Sequence, residues 1–369
     1  MRVIQLLSNL NSAGPQCGAL ELSRALIKAG HESHVVAADG DLKAAFMRSK
    51  AIIHPLKLSP GSIKILWQLR QLKALIHSIK PDIIHVREPG PAWALKIVIK
   101  SMQAGDRPIV IGTMHQVLQP NYRSRALSSS DALICVSQHV YAHVQSHFEV
   151  DEHKLYCIPR GIDPKSHPYR YQPSIHWWNT ILAEYPQLDS KVWLTVPGKL
   201  HFDTGHQWIL DVIGGLKAEF PHIHAVFIGE PRRERSNYVD ELKMRIGALD
   251  LEENVTFTGN RSDLRDWLAA SHLVLELSNK DKGSGRNVLS ALFMGTPVLA
   301  WDRGGIHEIM SDLFPEGLIE PNNCLELCQK VREQIISKSR PAKPRTYQLE
   351  GMTDRCLQIY KDLIKKRTE

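Results

Sequence analysis

Pro81-Asp82-Ile83-Ile84-His85-Val86-Arg87 is the stretch on which the fold turns. Residues 83–86 read as a short buried strand. Before it, Ile63, Leu66, Trp67, Leu69, Leu72, Leu75, Ile76 and Ile79 recur at helical spacing. The helix they predict over 63–79 stops ahead of Lys80-Pro81, because the residue before a proline disfavours the helical region. The alternation extends both ways. Strands are predicted at 3–7 and 35–38, separated by a loop (11–18) and a helix (19–29) that ends at Gly30, and further strands at 109–112 and 132–136. Short apolar strands alternating with helices imply crossover units and a parallel sheet covered on both faces, and right-handed crossovers make this half doubly wound.

Around Ile158-Pro159-Arg160-Gly161-Ile162-Asp163 the chain leaves that sheet. Up to about Ser190, Pro164, Pro168, Pro173, Trp177, Trp178 and Pro186 suit an irregular connection. A second series follows, with strands at 192–196, 225–228, 255–257, 273–277 and 297–300 and helices such as 240–248 and 287–294. Arg340-Pro341-Ala342-Lys343-Pro344 breaks it, and 347–365 forms a last amphipathic helix. The expected domains are 1–165, 166–340 and a C-terminal segment, 341–369, that crosses back to the first. Two such halves place a cleft between the carboxyl ends of both sheets, where ligands of open α/β sheets bind.

With 369 residues, two domains is the natural division. A hydrophobic fraction of 43% excludes a disordered chain, and six scattered cysteines without a C-x-x-C pair exclude a disulfide scaffold and point to reduced thiols. No His–Cys cluster suggests zinc, and no apolar run approaches the ~20 residues that span a bilayer. The chain reads as cytoplasmic. Its net charge of +7 is uneven: residues 57–100 hold Lys57, Lys64, Arg70, Lys73, Lys80, Arg87, Lys96 and Lys100 against Asp82 and Glu88. No nucleic-acid-binding signature accompanies them, which disfavours nucleic acid. A solvated helix face and an anionic membrane surface, at the inner face of the membrane, both stay open.

Local strings add specificity. They are Gly30-His31-Glu32, the 81–87 stretch, Thr113-Met114-His115, the 158–163 string, Phe257-Thr258-Gly259-Asn260-Arg261-Ser262-Asp263-Leu264, Gly295-Thr296-Pro297-Val298 and Gly304-Gly305-Ile306-His307-Glu308-Ile309. In this order and spacing the chain resembles glycosyltransferase family 4, the retaining nucleotide-sugar transferases that build lipopolysaccharide and other surface glycans. The likeness runs over nearly its whole length. It implies an α/β fold of the GT-B type, two Rossmann-like doubly wound domains facing each other across a cleft.

A nucleotide diphosphate is held by backbone N–H groups at helix N-termini and in glycine loops, aided by cations. The resemblance carries that role onto particular positions. The loop Asn11-Ser12-Ala13-Gly14-Pro15-Gln16-Cys17-Gly18 stands where the family has a Gly-Gly loop followed by an acid; Ala13 and Gln16 replace one glycine and the acid, and the turn is expected at Gly14. His115, ending the fourth predicted strand, matches the histidine that meets the donor sugar near the reacting centre, the catalytic position. Lys199 keeps the first cation of the diphosphate clamp, whereas Thr204 replaces the lysine five positions on. Arg286 or His206 could supply the lost charge.

The largest departure is Asp281-Lys282-Gly283-Ser284-Gly285-Arg286-Asn287-Val288-Leu289-Ser290. Two glutamates eight positions apart are expected here; this chain has Lys282 and Ser290. Asp281 could partly stand in for the first, and Ser290 could hydrogen-bond a ribose hydroxyl without the strength of a charged acceptor. Gly283, Ser284 and Gly285 and the helix start that follows still offer amides to phosphate, with Arg286 and Asn287 there, and Lys282 and Arg286 add cations in place of the lost lysine. Glu308 fits the family pattern and shapes its loop, and Arg160 and Asp163 read as structural.

Two functional readings follow. The first is a transferase moving a sugar from a nucleotide-sugar to a glycan or lipid-linked acceptor with retention, needing no cofactor and no metal. The second, motivated by the departures at Ala13, Thr204, Lys282 and Ser290, is a catalytically impaired relative that acts as a binding or scaffolding partner of an active transferase. An epimerase or phosphorylase on a similar scaffold has no matching strings.

Overall fold

The computed structural model describes residues 1–58, 63–231 and 237–369. Residues 59–62 of the basic stretch lie outside the described residues. The chain divides into two units, Met1–Gly161 with Leu349–Glu369, and Ile162–Gln348. The first crossing falls at Gly161 rather than after 165, and the second at Gln348 rather than after 340. The cause is local: Ile162 bridges to Gln348, and its N–H donates to the Tyr347 carbonyl at 2.9 Å.

The first unit runs β1 (Arg2–Asn9), α1 (Gly14–Lys28), β2 (Glu32–Ala38), α2 (Lys43–Arg48), β3 (Ile52–Pro55), α3 (Ile65–Ile79), β4 (Ile83–Val86), α4 (Pro89–Lys100), β5 (Ile109–Met114), α5 (Tyr122–Ser128), β6 (Ala132–Cys135), α6 (Gln138–His147) and β7 (Leu155–Cys157). Among the described residues these strands form one parallel sheet in the order β3-β2-β1-β4-β5-β6-β7. Ile4, Leu6, Ile84 and Val86 face α3 to α6 on one side, while Val3, Ile83, Ile109 and Ile111 face α1 on the other.

The second unit runs α7 (Ile175–Glu184), β8 (Val192–Pro197), α8 (His206–Leu216), β9 (Ile223–Ile228), α9 (Asn237–Ala248), β10 (Val255–Gly259), α10 (Leu264–Ala270), β11 (Leu273–Glu276), α11 (Arg286–Phe293), β12 (Val298–Trp301), α12 (Gly304–Leu313), β13 (Leu318–Ile319) and α13 (Cys324–Ser337). Its described strands are ordered β10-β9-β8-β11-β12-β13, again parallel. The last helix, α14 (Leu349–Thr368), returns to the first unit and seats Tyr360 and Cys356 beside Ile83 and Ile134.

Two local expectations are corrected. Helix α1 begins at Gly14, not Ala19, so 14–18 are helix rather than loop. Pro15 sits in its first turn, where a missing N–H costs nothing and the fixed φ suits the helix. The stretch expected to be irregular contains α7, which Ser174 caps through the Trp177 N–H. Trp177 and Trp178 pack with Trp193 and Trp267, so the tryptophans build a wall of the second unit.

Both sheets have the same switch point, where the order turns back between β1 and β4 and between β8 and β11. In open parallel sheets, ligands gather beyond the carboxyl ends at such points.

Candidate functional site

In the second unit, the loops leaving β8, β11 and β12 are knitted together at that end. Gly205, with φ of +86°, closes the β8–α8 loop; a Cβ there would lie 2.1 Å from the Leu277 carbonyl oxygen, so only glycine permits the approach. The Asn279 N–H donates to the Asp203 carbonyl at 2.8 Å, and the Lys280 ammonium pairs with the Asp203 carboxylate at 2.6 Å. On the far side, the Gly305 N–H donates to the Lys282 carbonyl at 2.8 Å, and a Cβ on Gly305 would meet the Gly283 carbonyl oxygen at 2.2 Å. This explains why α12 opens with Gly304-Gly305: the 281–285 loop lies directly on its first turn.

Lys199, Thr204, 281–287 and Ser290 thus come from adjoining loops and from α11, whereas Gly14 and His115 belong to the first unit. Lys199 is exposed. The Thr204 hydroxyl donates to its carbonyl at 2.7 Å and so ties the loop shut. His206 does not supply a replacement cation. It is fully buried against Phe227, and burial pushes its pKa down to about 3. Arg286 opens α11, half-buried, and its charge together with burial holds His167 down at about 4. Ser284 and Asn287 are half-buried, and Ser290 is buried within α11.

Lys282 is engaged elsewhere. Its ammonium bonds both carboxylate oxygens of Glu276, at 2.6 and 2.7 Å, and Glu276 is buried at the end of β11. Glu276 was not among the predicted site residues; a lone acid closing the apolar run Leu273-Val274-Leu275, six positions ahead of a lysine, is the signal that points to it. Asp281 pairs with Arg303 at 3.4 Å. Glu308 is half-buried on α12, and its carbonyl accepts from the Tyr347 hydroxyl at 3.3 Å.

Helices α8 and α11 both start beside the switch point, at Gly205 and Gly285, and neither N-cap supplies a side-chain acceptor. The first amides of a helix need acceptors. On α12 the Gly305 N–H has a protein carbonyl; on α8 and α11 the amide ends hold no side-chain cap.

The first unit is built differently. Gly14 is exposed, a Cβ on it would meet nothing, and it is helical, so no turn depends on it. Its carbonyl accepts from Arg160 at 3.2 Å. Arg160 is buried, pairs with buried Glu21 at 3.5 Å, and passes so close to Gly18 that a Cβ there would lie 2.0 Å from the guanidinium. Arg87, counted above in the basic stretch, is buried too, and its Nη2 donates to Gln5 at 3.4 Å. His85 shares hydrogen bonds with Tyr360 and, at 2.6 Å, with Thr113.

His115 follows β5, the fifth strand once β3 is counted. Its Nε2 is buried without a hydrogen-bond partner. Burial, then the charges of Arg160 and Arg87, hold its pKa well below the usual histidine range, so the imidazole is neutral. It lines a pocket of about 20 Å³ with Arg87, Thr113 and Arg160, room for a water-sized group only. Among the described residues no three His, Cys, Asp or Glu side chains converge as a metal site, and no helix is long and apolar enough to cross a membrane.

Two doubly wound parallel-sheet units with switch-point loops define a Rossmann-like fold of the GT-B class. The sequence model for Glycosyltransferase Family 4 matches residues 14–166, and that for Glycosyl transferases group 1 matches 191–336. The chain belongs to the family-4 type of glycosyltransferases. It is 24% identical to the putative glycosyltransferase EpsD of Bacillus subtilis over 328 residues, 84% of this chain and 81% of that one. It is 26% identical to the lipopolysaccharide core biosynthesis mannosyltransferase LpsB of Rhizobium meliloti over 155 residues, 42% of each. Among solved structures, Anabaena Alr3699/HepE in complex with UDP-glucose superposes with a TM-score of 0.82 at 18% identity, covering 98% of this chain and 100% of that one.

Proposed function

We propose that this transferase takes a sugar from a nucleoside-diphosphate sugar and passes it, with retention of configuration, to a glycan or lipid-linked acceptor in the synthesis of a cell-surface polysaccharide or lipopolysaccharide. The observation that carries the reading is the pair of helix N-termini, α8 and α11, that flank the β8/β11 switch point without side-chain caps. Amide ends of this kind favour a diphosphate. The exposed ammonium of Lys199 and the guanidinium of Arg286 add positive charge beside them, so the leaving diphosphate is neutralised by the protein's own groups, with no metal or cofactor required. Ser284, Asn287 and Ser290 are assigned to the donor's hydroxyls and phosphates. The UDP-glucose held by the HepE structure and the name of LpsB favour a nucleotide-sugar donor and a surface-glycan product.

His115 is assigned to the transferring sugar. A neutral imidazole there accepts or donates a hydrogen bond without repelling the positive charge that grows on the sugar ring. Exposed Leu66 and Trp67 on α3, with Arg70 beside them, support peripheral contact with an anionic membrane.

A second reading, binding without turnover, is favoured by one feature: the position that should present a carboxylate presents Lys282, turned onto Glu276. A thermal-shift screen against UDP-, GDP- and ADP-sugars, followed by a turnover assay, separates the two. A donor at 100 times its Kd stabilises by about 2.7 kcal/mol. Stabilisation with turnover supports the transferase, and stabilisation with no turnover on any glycan acceptor supports the binding protein. No stabilisation by any nucleotide-sugar at millimolar concentration overturns both.

A further inference from the structure

An open cavity of about 590 Å³ lies in the first unit, lined by α4, the segment before β5, the 126–131 stretch and the end of α14. Its buried lining is mainly apolar, with Val86, Ala92 and Leu95 beneath α4 and Ala126 of α5 opposite, and Ser130 the buried polar residue among them. Its rim is cationic. Lys96 and Lys100 come from α4, Arg107 from the segment before β5, and Lys366 and Arg367 from the end of α14.

Cations at a helix C-terminus are ordinary. Five of them drawn from three separate segments around one apolar recess are not. Asp131 is the one acid in the lining, and one of its carboxylate oxygens already accepts the Val110 N–H at 2.8 Å. Arg107 donates to the Met102 carbonyl at 3.1 and 3.2 Å. The other four cations, all described residues, make no ion pair and no side-chain hydrogen bond within the protein. Lys96 and Lys100 stand one helical turn apart, where like charges repel. An anion at the rim relieves that repulsion, and an apolar chain fills the recess behind it. Recesses of this size with few polar groups at one end are the usual form of small-molecule sites.

We propose that this cavity is a second ligand site, taking a single-chain amphiphile with a phosphate headgroup: the tail lies against Leu95 and Ala92, and the phosphate meets Lys96, Lys100 and Arg367. The inference stands on the first unit alone and does not depend on the donor reading.

The test is isothermal titration of the full chain with monododecyl phosphate below its micellar concentration, beside inorganic phosphate and dodecyl maltoside. Saturable one-to-one binding of the lipid phosphate is expected, with neither control binding in the same range. The double variant Lys96→Glu/Lys100→Glu, at side chains with no protein partner, is expected to weaken it by roughly tenfold or more. Ile99→Trp, which crowds the recess, is expected to weaken it as well; should that variant misfold, the charge reversal still decides. Cosedimentation with phosphatidylglycerol vesicles that the charge reversal abolishes places the source of the phosphate in a bilayer, and one-to-one binding without cosedimentation places it in a free amphiphile. Equal binding of inorganic phosphate, equal binding of the maltoside, or unchanged affinity in the charge-reversed variant overturns the proposal.

Discussion

The carboxyl ends of the two sheets handle charge in opposite ways. In the first unit, Arg87, Arg160, Glu21 and His85 are drawn into the interior with half-buried His115 beside them; Arg160 meets the Glu21 carboxylate, and both histidines are held neutral. In the second, charged groups of adjoining loops settle in pairs, Lys280 with Asp203, Asp281 with Arg303, and Lys282 with Glu276 buried at the end of β11. The difference teaches where change is tolerated. A half-exposed loop charge is held by the neighbour that answers it, as Lys282 is by Glu276. A buried network cannot lose one member without stranding another.

The contrast is broken most severely at Arg160. Arg160→Met leaves Glu21 buried without its cation and is expected to cost about 3–5 kcal/mol, the usual penalty for breaking a buried pair. Urea denaturation measures it, and a loss under 1 kcal/mol would show that the first unit tolerates exchange as the second does. Next comes Lys282→Met, expected at about 2–3 kcal/mol because the ammonium is partly solvated already. Adding Glu276→Gln should recover most of that loss, the sign that the pair acts as a unit. It follows that Lys282→Glu sets two carboxylates together unless Glu276 is changed with it.

Acid sharpens the same comparison. A histidine whose folded pKa is depressed stabilises fully above about pH 6.5 and loses that contribution as pH falls, over a window reaching about pH 3 for His206. The slope is about 1.4 kcal/mol per pH unit for each such group. Denaturation at pH 7, 6 and 5 should show a steeper fall for the native chain than for His206→Phe, and parallel curves would mean that His206 is not held neutral. The smallest effect is expected at Thr204→Val, which removes one hydrogen bond to the Lys199 carbonyl and costs about 0.5–1.5 kcal/mol.

Most of the fold could be read in the sequence because central strands buried on both faces, such as 83–86 and 192–197, are predominantly apolar runs, interrupted only by His85 and Thr195. The edges were not legible. β3 is half-exposed and ends in Pro55, β7 has three residues and β13 two, too short for any periodicity to register. The start of α1 was hidden because Gly14-Pro15 reads as a turn by composition, yet proline suits a helix's first turn. At the candidate site, the glycine loops and Lys199 were visible as motifs. Glu276 was missed: a lone acid ending an apolar strand marks it, but that Lys282 lies over it depends on the path of the 281–285 loop, which no spacing rule encodes. Nor could spacing tell that Arg87 is interior while Lys96 and Lys100 are not.

In the proposed function, the amide ends of α8 and α11, with Lys199, grip the diphosphate of a sugar nucleotide. Titration calorimetry of the native chain and of Lys199→Ala with the UDP-, GDP- and ADP-sugars tests it most directly. Lys199 is exposed and carries no fold contact through its ammonium, so the variant should keep its melting temperature while losing about 1.5–3 kcal/mol of affinity for the donor. Equal affinity in the two proteins, or no heat from any donor at millimolar concentration, would contradict the account.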